Sequence, residues 1–210
     1  MYKVISCGIF KPYIESLSLN FDLYDIEYLE IQQHNQPKKL SQTIQDAINR
    51  SQNYDKIIVL YGLCGGALLS IRTSHTPLIV VCVHDCMSIL LGSKEKYNEF
   101  VSHNKLLNWS CYSLKINNFM NDSLSQWEEK YDEETIEYLK SILILEDNIY
   151  ISFNLLEEQD YLKTEKKIIY GDLRFLEEIL TCVSHDILYV YPHDKIYQTA
   201  DERVIDIIRE

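Results

Sequence analysis

The chain has no Cys-x-x-Cys pair, no G-x-G-x-x-G turn, no Walker-type phosphate loop and no G-x-S-x-G elbow. These gaps remove the short-spaced zinc finger, the dinucleotide fingerprint, the P-loop and the α/β-hydrolase nucleophile from the readings. No apolar stretch approaches the roughly 18 residues that a bilayer span needs. The opening Met1-Tyr2-Lys3-Val4-Ile5-Ser6 is too short an apolar run for a signal-peptide core, so a cytoplasmic protein is expected. Basic residues are few: 20 Lys and Arg stand against 32 Asp and Glu, for a net charge of −12. A field of that sign argues against non-specific binding to nucleic acid or anionic membrane and leaves room only for a local basic pocket.

What the chain does have is cysteine at informative places. The six are Cys7, Cys64, Cys82, Cys86, Cys111 and Cys182. In a reducing compartment such a set points to metal binding or catalysis before disulfides. With 210 residues, 46% hydrophobic and 25% charged, the chain suits one α/β domain spanning 1–210.

Short apolar runs alternate with amphipathic segments. Tyr2 to Ser6 reads as a buried strand ending at Cys7-Gly8. Residues 24–31 alternate with period two, as a half-buried strand does. A polar loop, Gln32-Gln33-His34-Asn35-Gln36-Pro37, then opens a helix from about Lys38 to Asn49, with Pro37 at its first position. A strand at 56–60 leads into Leu60-Tyr61-Gly62-Leu63-Cys64-Gly65-Gly66, followed by a predicted helix to about Arg72. A strand at 77–82 leads into Val83-His84-Asp85-Cys86 and a short helix to Leu91. Strand–helix alternation at this spacing predicts an open, mainly parallel sheet with helices on both faces, doubly wound and Rossmann-like. The segment 94–145 reads as a helical insertion. Strands resume near 148–153, 167–170 and 187–191, and the acidic tail 201–210 reads as a terminal helix.

In an open α/β sheet the binding crevice lies at the carboxyl ends of the strands. Cys7, the His34 loop, the Cys64 turn and the His84–Cys86 turn each follow one of the first four strands. Cys7, His34, Cys64 and Cys86 are therefore the candidate metal ligands, and His84 is the candidate acid–base residue. Asp85 is read first as the cap of the helix that begins at Cys86. Gly62, Gly65 and Gly66 leave the backbone bare for a cofactor to approach, and a helix start after Cys64 would lower its thiol pKa. Three cysteines and a histidine can hold zinc tetrahedrally, and three cysteines with an open position can hold an iron–sulfur cluster. Soft sulfur disfavours magnesium and calcium. A metal-free thiol enzyme, with Cys64 or Cys86 as nucleophile and His84 as base, is a separate reading of the same residues. Cys82 reads as core. Cys111 and Cys182 show no convergent neighbours.

Several stretches carry a family resemblance: Ile5-Ser6-Cys7-Gly8, His34-Asn35-Gln36-Pro37, Tyr61-Gly62-Leu63-Cys64-Gly65, and most specifically His84-Asp85-Cys86 through Leu91-Gly92-Ser93 with Tyr97. Tyr131-Asp132-Glu133-Glu134, Gly171-Asp172-Leu173 and Tyr191-Pro192-His193 match later blocks. On these residues the chain resembles the domain of unknown function 1638 over nearly its whole length. It departs where Gly66 and Ala67 follow Cys64-Gly65 in place of the family's frequent Asn-Gly. The resemblance implies that Cys7, Cys64 and Cys86 form one site. It associates the chain with corrinoid-linked methyl transfer, and so with thiol activation. The implied partners are a small-molecule substrate or a corrinoid protein. A non-catalytic metal- or corrinoid-binding accessory role is the alternative.

Overall fold

The computed structural model describes residues 1–31, 33, 36–103, 108–117, 128–138, 148–163, 165 and 167–209. Five strands form the central sheet: β1 (Tyr2–Cys7), β2 (Tyr24–Leu29), β3 (Lys56–Leu60), β4 (Leu78–Val81) and β8 (Ile187–Val190), in the order β2-β1-β3-β4-β8. The first four run parallel, with Val4 beside Ile58 and Ile58 beside Ile79. β3 and β4 are continuous apolar runs because both of their faces are covered, as central parallel strands require. β2 is only half-buried, as befits an edge. β8 closes the other edge antiparallel to β4, pairing Leu78 with Val190 and Val81 with Ile187. The sheet is thus mainly parallel and not wholly so.

The helix α2 (Pro37–Asn49) buries Leu40, Ile44, Ala47 and Ile48, one stripe at helical spacing, and packs on β1 and on the Cys64 turn. A turn at Gly8–Phe10 and α1 (Lys11–Glu15) follow β1. α3 (Cys86–Leu91) packs on α4 (Lys94–His103) and on the helix Arg174–Leu180. Gly92 ends α3 with φ 95°, a left-handed cap that glycine adopts without strain.

Three elements differ from the sequence expectation. The segment 94–145 contains a strand, β5 (Asn108–Cys111), followed by α5 (Tyr112–Ile116). β5 pairs parallel with β6 (Asn148–Ser152), and β6 with β7 (Lys167–Tyr170), making a second sheet of three strands. Asn108-Trp109-Ser110-Cys111 is too short and too mixed in polarity to show a strand period. The tail is not a helix: β10 (Ile205–Ile208) pairs antiparallel with β9 (Lys195–Gln198). Three isoleucines among the four residues Ile205–Ile208 outweigh the acidic composition that suggested a helix. Finally, no α-helix follows Cys64, because the backbone there turns left-handed.

The second sheet is fastened to the first through α3. Asp172 N–H donates to Leu90 O at 3.1 Å, and Gly171 N–H to Ser152 O at 2.9 Å. A cleft of about 760 Å³ lies between the ends of β1 and β2 and α5, lined among others by Gly8, Lys11, Tyr28, Tyr112 and Ser113. Among the described residues no helix is long and apolar enough to cross a membrane.

Candidate functional site: three buried thiols at the ends of β1, β3 and β4

Cys7 is the last residue of β1 and is 5% exposed. Cys64, 3% exposed, lies four residues beyond β3. Its φ is 45°, and Gly65 and Gly66 follow at 67° and 91°. Three successive left-handed residues cannot enter a right-handed helix, so the chain makes a single tight turn, Cys64–Gly66. The expected helix to Arg72 is therefore absent, and with it the dipole that was to lower the Cys64 pKa. A non-glycine residue held at positive φ is strained, and such strain gathers at functional sites.

Cys86, 5% exposed, is the first residue of α3. Asp85 caps that helix as the sequence suggested: its Oδ1 accepts from Met87 N–H at 2.8 Å and Ser88 N–H at 3.3 Å, and its Oδ2 accepts from the Tyr97 hydroxyl at 2.5 Å. Burial pushes its carboxyl pKa up against these bonds. Asp85→Ala is expected to lower stability by about 1–2 kcal/mol through loss of the cap, read by urea unfolding, and Asp85→Asn by less because its amide oxygen can still accept.

The Cys64 and Cys86 turns are bonded to each other along the backbone. Leu63 N–H donates to Val83 O at 2.9 Å and Cys64 N–H to His84 O at 3.1 Å. Gly62 completes the contact, since a Cβ there would sit 2.5 Å from Asp85 Cα. Gly65 packs on Pro37, where a Cβ would meet Cγ at 3.0 Å. Backbone geometry alone thus accounts for Gly62 and Gly65. Gly66 also needs its left-handed φ.

The three thiols meet. Cys86 is within hydrogen-bonding reach of both Cys7 and Cys64, and that contact together with burial drives the Cys7 and Cys64 pKa values well above the ordinary thiol range. The Tyr61 phenol faces all three sulfurs. Burial and those sulfurs push its pKa up, and its hydroxyl forms no hydrogen bond of ordinary geometry among the described residues. As the side chains stand, no group of three or more His, Cys, Asp or Glu among the described residues is arranged to hold an ion.

His84 does not join this cluster through its ring. The side chain is exposed and stacks on Tyr97 at 6.5 Å, and Tyr97 stacks in turn on Trp109 at 6.3 Å. His34 lies outside the described residues, although Pro37, three positions on, touches the Cys64 turn. Sequence reasoning missed two participants. Tyr61 lies in the Cys64 turn, where the glycines and the thiol drew the reading and the phenol received no role. Cys111 is fully buried at the end of β5, beside Tyr13 and near Cys7, with its pKa raised to about 11, chiefly by burial. The signal for it was its place immediately before a helix, the same strand-end position that singled out the others, hidden by the brevity of β5. Cys82 is core, as expected.

Fold and site together define an α/β protein whose parallel strands deliver three cysteines to one buried point. The chain belongs to the family described as protein of unknown function (DUF1638), which matches residues 28–180 of 210. That span includes Cys64, Cys86 and Cys111 and begins after Cys7. No curated protein and no solved structure matches the chain significantly.

Proposed function

We propose that this is a metalloprotein in which Cys7, Cys64 and Cys86 bind a thiophilic ion, zinc or the iron of an iron–sulfur cluster. The observation that carries the reading is the meeting of three sulfurs, from three separate strand ends, around Cys86. Three adjacent buried thiols without a cation cannot all ionise, because thiolates so close would repel one another in a medium that screens them poorly. A soft divalent cation removes that conflict by replacing the protons. Loading releases a proton from each ligating thiol to solvent and turns the sulfurs from one another toward the ion.

The thiol-nucleophile reading is less favoured. A reactive cysteine is partly exposed with a lowered pKa, whereas Cys64 and Cys86 are 3–5% exposed and the Cys64 pKa is pushed up. His84, its proposed base, faces solvent and Tyr97. His34 is kept as the proposed fourth ligand. If that position is open, a bound ion would supply Lewis acidity and lower the pKa of a substrate thiol or water. That would make the protein a metal-dependent enzyme, whereas a closed set of four would make it a metal-handling protein.

Elemental analysis and a visible spectrum on protein purified without oxygen test the reading. About one zinc per chain without colour, or iron and sulfide with a broad brown absorption, is the expected result. Cys64→Ser is expected to lose most of that metal. Protein still empty after anaerobic reconstitution, or unchanged stoichiometry in Cys64→Ser, would sink the proposal.

A further inference from the structure

Tyr61 is 2% exposed, yet among the described residues its hydroxyl makes no hydrogen bond of ordinary geometry, a costly arrangement in a protein interior. It is the residue directly after β3, and its phenol faces Cys7, Cys64 and Cys86, with the Cys7 sulfur nearest to hydrogen-bonding it. A neutral thiol is a weak acceptor, and a thiolate is a strong one. A metal-bound Cys7 thiolate would give the hydroxyl the strong acceptor that the neutral thiol is not.

We infer that Tyr61 is a positioning residue of the loaded site, its hydroxyl donating to the Cys7 sulfur once that sulfur is a metal-bound thiolate. This rests on the proposed metal site and adds to it. In the step, the Cys7 S–H proton leaves to solvent, a sulfur–metal bond forms, and the phenol keeps its own proton while sharing it with sulfur. Nothing is oxidised or reduced. The hydrogen bond withdraws charge from the Cys7 sulfur and fixes its direction, as groups behind metal ligands commonly do. It also makes the buried site dependent on its cargo, because the phenol is satisfied only when the ion is present.

The test is Tyr61→Phe against wild type, each titrated without oxygen with zinc and, as a spectroscopic probe, cobalt(II). Removing an unpartnered hydroxyl is expected to leave the metal-free melting temperature unchanged or raised. Zinc affinity is expected to fall about ten- to a hundredfold, and the sulfur-to-cobalt charge-transfer band to move to lower energy. A side chain that merely filled space would move stability and affinity in the same direction. Equal affinity and an unmoved band in Tyr61→Phe, with wild type loading normally, would overturn the inference and leave the metal site standing. Failure of wild type itself to bind either ion would remove both. A Tyr61→Phe chain unable to fold without metal would show that the hydroxyl already has work in the metal-free protein, which again overturns the inference.

Discussion

Metal-free protein is expected to lose stability steeply between about pH 9 and pH 11. Cys82 and Cys111 both have thiol pKa values raised by burial to about 11, against an ordinary value of 9.0. Between those values the folded chain keeps protons that the unfolded chain releases. Unfolding then gives up protons, so rising pH favours it. The contribution of these thiols is fully present below the unfolded pKa and disappears as pH rises through the folded one. Each group retained is worth about 1.4 kcal/mol per pH unit, so the pair removes on the order of 5 kcal/mol across the window. That rivals the whole stability of many domains. Cys7 and Cys64 shift in the same direction and steepen the fall. Urea unfolding at several pH values between about 8 and 11 reads it directly. Cys111→Val should flatten the curve by its share, and a profile level across the window would show that these thiols are not protonated in the fold.

The second large effect is expected from a single methyl group. Gly62→Ala places a Cβ 2.5 Å from Asp85 Cα and 2.7 Å from both Asp85 N and Asp85 C. All three atoms are backbone, so no side chain can rotate away. The two thiol turns must separate, breaking the bonds from Leu63 N–H to Val83 O and from Cys64 N–H to His84 O. A loss of about 3 kcal/mol or more is expected, at the upper end for overpacking, together with loss of metal binding. Gly66→Ala is the comparison. Its Cβ meets nothing closer than Leu69 Cδ1 at 3.5 Å, so only the cost of φ 91° applies, about 1 kcal/mol. Thermal unfolding of the two variants separates them, and equal melting points would show that the Gly62–Asp85 contact does not hold the two turns together.

The strands that carry the site were legible because their apolar runs are continuous: Lys56-Ile57-Ile58-Val59-Leu60 and Leu78-Ile79-Val80-Val81 admit no other economical burial. Their parallel order followed from the intervening segments, and from that order came the meeting of Cys7, Cys64 and Cys86. Asp85 was legible as a cap because an acidic residue precedes an apolar helix. The backbone after Cys64 was not legible in detail. Glycines there announced a turn, but not that Cys64 itself would share their left-handed conformation, which abolishes the expected helix. β5 escaped because four residues of mixed polarity carry no period, and with it went the second sheet and the placing of Cys111. The pairing of β8 against β4 was also hidden, since strand direction depends on the path of the whole preceding chain and not on Ile187-Leu188-Tyr189-Val190.

That last pairing affects how the molecule is made. β4 is buried on both faces and apolar at every position, yet its partner β8 lies about a hundred residues further along the chain. On the ribosome, β1 to β4 emerge long before the strand that seals them. Throughout that interval the Leu78–Val81 edge presents unpaired backbone beside a fully hydrophobic surface, the kind of edge on which nascent chains associate. Chains stopped short of Ile187 should therefore aggregate and not fold to a smaller version of the domain, and synthesis in cells would favour a chaperone holding that edge until Ile187–Val190 arrives.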